Sequence, residues 1–413
     1  MKAAVIVNDH GFVNGGQAKV AIETALALRL EGMSVSFFSG VGPMDQRLED
    51  AGVECICLGQ YDLLGDPNRV ASGLRGLWNA QAAARLEALL RRFAPDEAIV
   101  HVHGWAKSLS PSIGPVITAA RIPHVYTLHE YFLACPTGGF YNYQEREICT
   151  RRPLGASCLT TNCDARHPTH KLWRVARQAV LWTAGAMPRA LRDVIYLSNM
   201  QLAAMRGYLP ASARLHHLPN PVSTTPGARV PAERNDIYLF VGRLSAEKGP
   251  EIAALAAREA GVRIAFAGEG ECRESILAAN PYAQMLGWMK PDDLAEWIGK
   301  ARCLVFPSLW YEGLPMVVLE AMQRGLPVLV SDGCAAAEVA RHDMDGLHVR
   351  MGDRAAWAQA MQLMLDGRRV RRYSQSCLRA AEMFVDLGSY RRRLMAIYRD
   401  AAAAQLLERR RLN

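Results

Sequence analysis

Short runs of consecutive apolar residues alternate along this chain with longer stretches whose apolar positions recur every three or four residues. The first pattern suits strands buried on both faces and the second suits helices packed by one face, so the alternation predicts parallel sheets covered by helices. Candidate strands in the first half are AAVIV, SVSFFS, ECICL, AIVHVHG, HVYTLHE and DVIYLS, and a second series follows as IYLFVGR, RIAFAGEG, CLVFPS and PVLVSD. Between the two series lies NPVSTTPGARVPAERND, whose Pro and Gly content marks a linker near residues 222–236. Helical patterns such as GGQAKVAIETALALRLEG and PMVVLEAMQRG separate the strands of each half. The expected fold class is α/β, with two doubly wound domains over residues 1–225 and 232–385. The tail at 386–413 contains SYRRRLMAIYRDAAAAQLLERRR and reads as a helix with an apolar face at Leu394, Ile397 and Tyr398. It either stays with the second domain or crosses back to the first, and crossing is the expectation.

Length agrees with this division, because 413 residues exceed what one core usually organises and are enough for two. Open parallel sheets take ligands at the carboxyl ends of their strands, so that is where functional loops should lie. Half of the residues are hydrophobic, yet no apolar run approaches the length of a membrane span. Met1 opens a strand pattern, MKAAVIVND, and not a charged and then apolar leader, so a cytoplasmic location is expected. The formal charge of +8 favours polyanionic partners without choosing among them. Much of it lies in residues 151–192, where Arg and Lys recur against the single acid Asp164, and in the late runs GRRVRRY, YRRRL and ERRR. The few aromatic residues among these runs, Trp173, Trp182, Tyr373 and Tyr390, do not make the interleaved platform that stacks on bases, which argues against a nucleic-acid partner.

Two stretches carry the clearest chemistry. In LWYEGLPMVVLE, Glu312 falls in the loop after a buried-strand run, Pro315 suits the first turn of a helix, and Glu320 lies about a turn and a half into that helix. The free N–H groups of such a helix start, near Gly313, favour a phosphate, whereas carboxylates favour hydroxyls and can hold a vicinal diol. A sugar diphosphate with a second sugar would satisfy both. VGRLSAEKG places Arg243 and Lys248 in one loop at another strand's carboxyl end, where two cations can neutralise a departing diphosphate. Either stretch alone also fits ordinary surface residues.

Taken in order, VGRLSAEKG, FAGEG and MLGWMKPDDLAEWIGKARCLVFPSLWYEGLPMVVLEAMQRGLPVLVSD resemble the donor-binding half of the retaining family-4 glycosyltransferases. The resemblance continues more loosely through NGGQAKV, LHEYFLACP and LPNPV and so covers nearly the whole chain. It implies the GT-B fold, two Rossmann-like domains facing across a cleft, and a nucleotide-diphosphate sugar used without a catalytic metal. Residue by residue, it implies that Glu312 holds donor-sugar hydroxyls, that Glu320 grips the ribose, and that Arg243 and Lys248 sit on the diphosphate. The backbone of Gly313, Leu314 and Met316 would complete that pocket. Pro315 stands where many relatives have glycine, which removes one N–H donor. Gly15 and Gly16 match the family's glycine loop beneath the donor phosphate, and His129 matches a histidine that faces the donor sugar. Of His101 and His103, one is expected at the cleft and the other in the core. The GEGE run at Gly268 to Glu271 is a weaker match to a loop near the nucleotide base.

Cys135, Cys149, Cys158 and Cys163 are concentrated in a segment, about 135–170, that lacks clear periodicity and reads as an insertion. A structural zinc on four thiolates, with His167 or His170 replacing one, would order it; unligated thiols or a disulfide are the alternatives. The sequence as a whole is read as a hexosyltransferase of cell-surface polysaccharide or lipopolysaccharide synthesis. The expected acceptor is a glycan or a lipid-linked hydroxyl, with peripheral contact at the inner membrane leaflet. The rival readings are a non-transferring GT-B enzyme, such as a nucleotide-sugar epimerase, and a basic nucleic-acid-binding protein.

Overall fold

The structure is a computed structural model that describes residues 1–222 and 228–412. Residues 223–227, inside the expected linker and including the expected boundary at 225, lie outside the described residues. The chain forms two compact units: Met1–Gly139 with Arg151–Pro221 and Asp386–Asn413, and Phe140–Thr150 with Val222–Val385.

In the first unit seven strands, β1 (Ala3–His10), β2 (Ser34–Val41), β3 (Glu54–Cys57), β4 (Ala98–Val102), β5 (His124–Thr127), β6 (Asp193–Tyr196) and β7 (Arg214–His217), form one sheet. Their order is β3-β2-β1-β4-β5-β6-β7, and every pairing is parallel. The chain winds outward from β1 in one direction and from β4 in the other, so the point between them is the switch where such sheets open a crevice. Helix α1 (Gly16–Leu30) follows β1 because Ala18, Ala21, Ile22, Ala25 and Leu28 recur at helical spacing and bury one face. Helix α2 (Arg69–Leu77) lies on α3 (Pro168–Trp182), and Trp173 Nε1 donates to Gly73 O at 3.0 Å.

The second unit repeats the plan with six parallel strands, β8 (Ile237–Val241), β9 (Arg263–Ala267), β10 (Gln284–Gly287), β11 (Ala301–Phe306), β12 (Val328–Ser331) and β13 (Gly346–Val349). Their order is β10-β9-β8-β11-β12-β13. Phe240 and Phe266 pack on neighbouring strands with ring centroids 5.3 Å apart, and burial of such side chains contributes about 1.5–3 kcal/mol each. Helices α4 (Pro250–Ala260) and α5 (Met316–Gln323) begin at the carboxyl edge of this sheet. The last helix, α6 (Leu387–Leu412), belongs to the first unit, where Leu394, Ile397 and Tyr398 are buried as their spacing predicts. There Tyr390 Oη is 2.9 Å from Thr24 Oγ1 on α1.

The Cys-rich segment expected to form one insertion is divided. Residues Phe140–Thr150 belong to the second unit as a small antiparallel hairpin pairing Tyr141–Asn142 with Glu147–Ile148. Arg146 on this hairpin pairs with Glu251 on α4 at 2.7 Å.

Candidate functional site

The geometry of the second unit is set by strand order. Because β8 and β11 are neighbours, the loops that leave their carboxyl ends meet, and these loops contain Arg243, Lys248 and Glu312. After β8 the chain turns through a short 3-10 helix, Ala246–Lys248, and enters α4 at Gly249. Gly249 has φ +67°, and a Cβ there would lie 2.2 Å from Pro307 O, so this close approach of the two loops requires glycine. Gly268 is equally constrained: a Cβ would lie 1.9 Å from Gly242 O, which seats the GEGE loop against the Arg243 loop.

Lys248 Nζ donates to both carboxylate oxygens of Glu312, at 2.7 and 2.9 Å. Ser308 Oγ donates to Glu312 Oε1 at 2.7 Å, and the Lys248 ammonium also lies 5.1 Å from the Trp310 ring centroid. Glu312 is buried and has φ +58°. A non-glycine residue in that region costs roughly 1–2 kcal/mol, so the surrounding contacts must hold it there. Arg243, mostly exposed, donates to buried Glu247 at 3.0 Å, and Ser245 Oγ donates to the same oxygen at 2.7 Å. Glu247 O in turn accepts from Leu309 N at 2.8 Å, so the two loops are joined through backbone as well as side chains. Ser308 and Glu247 escaped the sequence reading because single polar residues in a loop carry no pattern.

Helix α5 starts one residue later than expected, with Pro315 at the capping position and no side-chain cap. Gly313, Leu314 and Met316 therefore lead into a helix start, and Glu320 stands half-buried within α5.

The edge of the first unit is built differently. Gly15 caps α1, and both Gly15 and Gly16 are exposed; a Cβ at Gly15 would meet nothing within 4 Å. His129, two residues beyond β5, has Nε2 3.0 Å from His103 Nδ1, with the two rings stacked at 5.2 Å. His101 is packed: its Nδ1 is 2.7 Å from Tyr398 Oη and its Nε2 is 2.7 Å from Thr127 Oγ1. Burial pushes His101 and His129 down to about 3, and His103 well below the ordinary histidine range, because a charged imidazole would be desolvated there. All three are neutral at neutral pH.

The zinc expectation is corrected. Lys171 Nζ lies 3.1 Å from Cys163 Sγ and 3.5 Å from Cys158 Sγ, so an ammonium occupies the space between two of the four expected ligands. Burial opposes the charge on Lys171, but the thiols Cys163, Cys158 and Cys135 outweigh it and its pKa is raised. A cation held there repels a metal ion. Cys149 is part of the hairpin in the second unit, and His167 caps α3 by accepting from Thr169 N. Among the described residues no three metal-ligating side chains converge.

Comparison with known proteins supports the same organisation. The family description "Glycosyltransferase Family 4" matches residues 14–225, and "Glycosyl transferases group 1" matches residues 235–367. An uncharacterised glycosyltransferase of Methanocaldococcus jannaschii is 32% identical over 133 residues, 29% of this chain and 34% of its own length. The UDP-Gal:alpha-D-GlcNAc-diphosphoundecaprenol alpha-1,3-galactosyltransferase of Escherichia coli is 29% identical over 93 residues, 22% of this chain and 23% of that one. These alignments thus span about a third or less of either relative. The sucrose-phosphate synthase of Thermosynechococcus elongatus has a TM-score of 0.69 at 18% identity, covering 98% of this chain and 100% of that one, which is a likeness of fold. With one family description spanning the first half and its companion the second, and with two sheets of Rossmann-like strand order, this chain belongs to glycosyltransferase family 4 and has the GT-B fold.

Proposed function

We propose that the protein is a retaining glycosyltransferase that moves a hexose from a nucleotide-diphosphate sugar to a hydroxyl of a glycan or lipid-linked acceptor in cell-surface polysaccharide synthesis. The observation that carries this reading is the Lys248–Glu312 pair, held by Ser308 at a strand-carboxyl edge with Glu312 in a costly backbone conformation. It sets a cation for phosphate beside a carboxylate for sugar hydroxyls, which is what the bond between a sugar and a diphosphate presents.

In this reading the acceptor oxygen attacks the anomeric carbon on the face from which the diphosphate departs. The bond from that carbon to the phosphate oxygen breaks as the new C–O bond forms, and the acceptor's proton passes to the departing oxygen. Arg243 and Lys248 stabilise the negative charge that grows on the diphosphate, with backbone N–H groups of Gly313, Leu314 and Met316 adding to it. Glu312 orients the sugar hydroxyls, Glu320 takes the ribose diol, and Gly15 and Gly16 leave room for backbone to approach the donor. His129, held neutral by burial, is a hydrogen-bonding contact to the donor and a poor base. The Escherichia coli relative's name pairs UDP-galactose with a diphosphoundecaprenol-linked acceptor, which supports a UDP-sugar donor and a lipid-linked acceptor here. That acceptor would place the enzyme on the cytoplasmic face of the inner membrane. Among the described residues no helix is long and apolar enough to cross a membrane.

The test is a thermal-shift panel of nucleotide diphosphates and their sugars, followed by product detection with and without acceptor. A ligand at 100 times its Kd should stabilise by about 2.7 kcal/mol. Turnover of the donor sugar to an isomer without acceptor would favour the epimerase reading, and no shift with any nucleotide would overturn both.

A further inference from the structure

The Phe140–Thr150 hairpin comes from the Cys-rich segment, and no step of the proposed transfer uses it. Yet it is seated on the loops at the carboxyl edge of the second sheet. Arg146 pairs with Glu251 in the first turn of α4, just beyond Glu247. Burial, and then Cys149 at the hairpin's far end, push up the phenol of Tyr311, the residue before Glu312. Between these anchors Tyr141 is completely buried, and among the described residues its Oη has no hydrogen-bond partner. Glu247 is buried as well: Oε1 accepts from Arg243 and Ser245, while Oε2 is enclosed and has no partner among the described residues. Enclosed polar atoms are almost always satisfied, since each one left bare carries the full cost of its desolvation. A hydroxyl and a carboxylate oxygen are complementary, so one contact accounts for both.

The surroundings of Tyr141 select Glu247 as that partner. Burial, and then the charge of Glu247, hold the Tyr141 phenol well above its ordinary range, so it keeps its proton and can donate. Glu251 is taken by Arg146, and Cys272, pushed up to about 11 by burial and by its acidic neighbours, is a neutral thiol and a weak acceptor. We infer that Tyr141 is a positioning residue: its hydroxyl donates to Glu247 Oε2 through one enclosed water, fixes the plane of that carboxylate and so aims Arg243 at the diphosphate. Arg243 Nη2 donates to Oε1. A carboxylate able to turn would offer both oxygens to the guanidinium fork, and bidentate pairing would hold Arg243 on Glu247 at the expense of the phosphate. The inference rests on the transferase reading for what Arg243 does, whereas the contact between Tyr141 and Glu247 is measured with no donor or acceptor present.

The experiment uses the full chain and two readouts. In protein labelled with carbon-13 at tyrosine Cζ and dissolved in mixed light and heavy water, the deuterium shift on Cζ reports hydroxyl exchange. The Tyr141 signal, identified by its loss in Tyr141→Phe, should exchange at least about tenfold more slowly in the wild type than in Glu247→Ala, because a bonded hydroxyl is protected. Steady-state kinetics of Tyr141→Phe should then give a turnover about tenfold lower with donor KM nearly unchanged, since Arg243 acts on charge that grows as the sugar leaves. In an Arg243→Met background the same Tyr141→Phe change should cost nothing further, because no guanidinium remains to be aimed. A tyrosine that only supports the fold would lower turnover alike in both backgrounds, which would overturn the assignment. Wild-type turnover in Tyr141→Phe, or equally fast hydroxyl exchange with and without Glu247, would overturn it too. Slow exchange in a wild type that transfers no sugar would overturn the transferase reading and leave the contact standing.

Discussion

The carboxyl edges of the two sheets share a strand order and differ in electrostatics. In the second unit the edge is held by charge, with Lys248 on Glu312 and Arg243 on Glu247. In the first the three histidines are neutral, with His103 on His129 and His101 on Tyr398 and Thr127, beside an open glycine turn at Gly15; the charge there sits on Asp9, which holds the backbone N–H groups of Lys107, Ser108 and Leu109, and on the Lys107–Glu130 pair. The same scaffold therefore offers one edge where paired cations can stabilise negative charge and another where uncharged imidazoles can make hydrogen bonds.

The sharpest way to break the comparison is at Lys248 and Glu312. Lys248→Met and Glu312→Ala should each lower turnover by about 10²–10³-fold, the range for loss of one preorganised electrostatic contact. Affinity for the nucleotide diphosphate should survive in Glu312→Ala, since that carboxylate is assigned to the sugar. Steady-state kinetics beside titration calorimetry decide it, and a parallel loss of nucleotide affinity would move Glu312 to another role. Glu320→Ala should act the other way, weakening nucleotide binding by about 1.5–3 kcal/mol while turnover at saturation changes little. Unchanged calorimetric affinity would remove Glu320 from the nucleotide.

The smallest effect tests the neutral histidines. The folded-state pKa values of His101 and His129 are depressed, so protons bind the unfolded chain first as the pH drops below about 6.5. Stability is fully present above that value and should fall between pH 6.5 and 5, at a limiting slope of about 1.4 kcal/mol per pH unit for each histidine kept neutral. Thermal midpoints across this window should show a shallower decline in His101→Gln, and an identical decline would mean that His101 is not held neutral by its surroundings.

Much of the fold was legible because periodicity is local. The buried central strands and the face of α6 at Leu394, Ile397 and Tyr398 follow from spacing alone. In the two large sheets the strands that escaped, β7 as RLHH, β10 as QMLG and β13 as GLHV, are edge strands. An edge strand is short and partly solvated, so it lacks the continuous apolar run by which a central strand is recognised. The zinc expectation failed for a related reason: four cysteines close in sequence say nothing of which unit each one joins, or that Lys171 points among them.

The sequence by itself determined two wound sheets and the loops at whose tips Arg243, Lys248, Glu312 and His129 stand, since these depend on apolar period and glycine position within a few residues. Only the tertiary structure decided who meets whom. Lys248 reaches Glu312 because β8 lies beside β11, and His101 reaches Tyr398 because α6 packs in the first unit. These pairs are 64 and 297 residues apart in the chain, and contact across such separations is fixed by strand order and helix docking, which minimise exposed apolar surface over a whole unit and leave no mark on any single stretch of sequence.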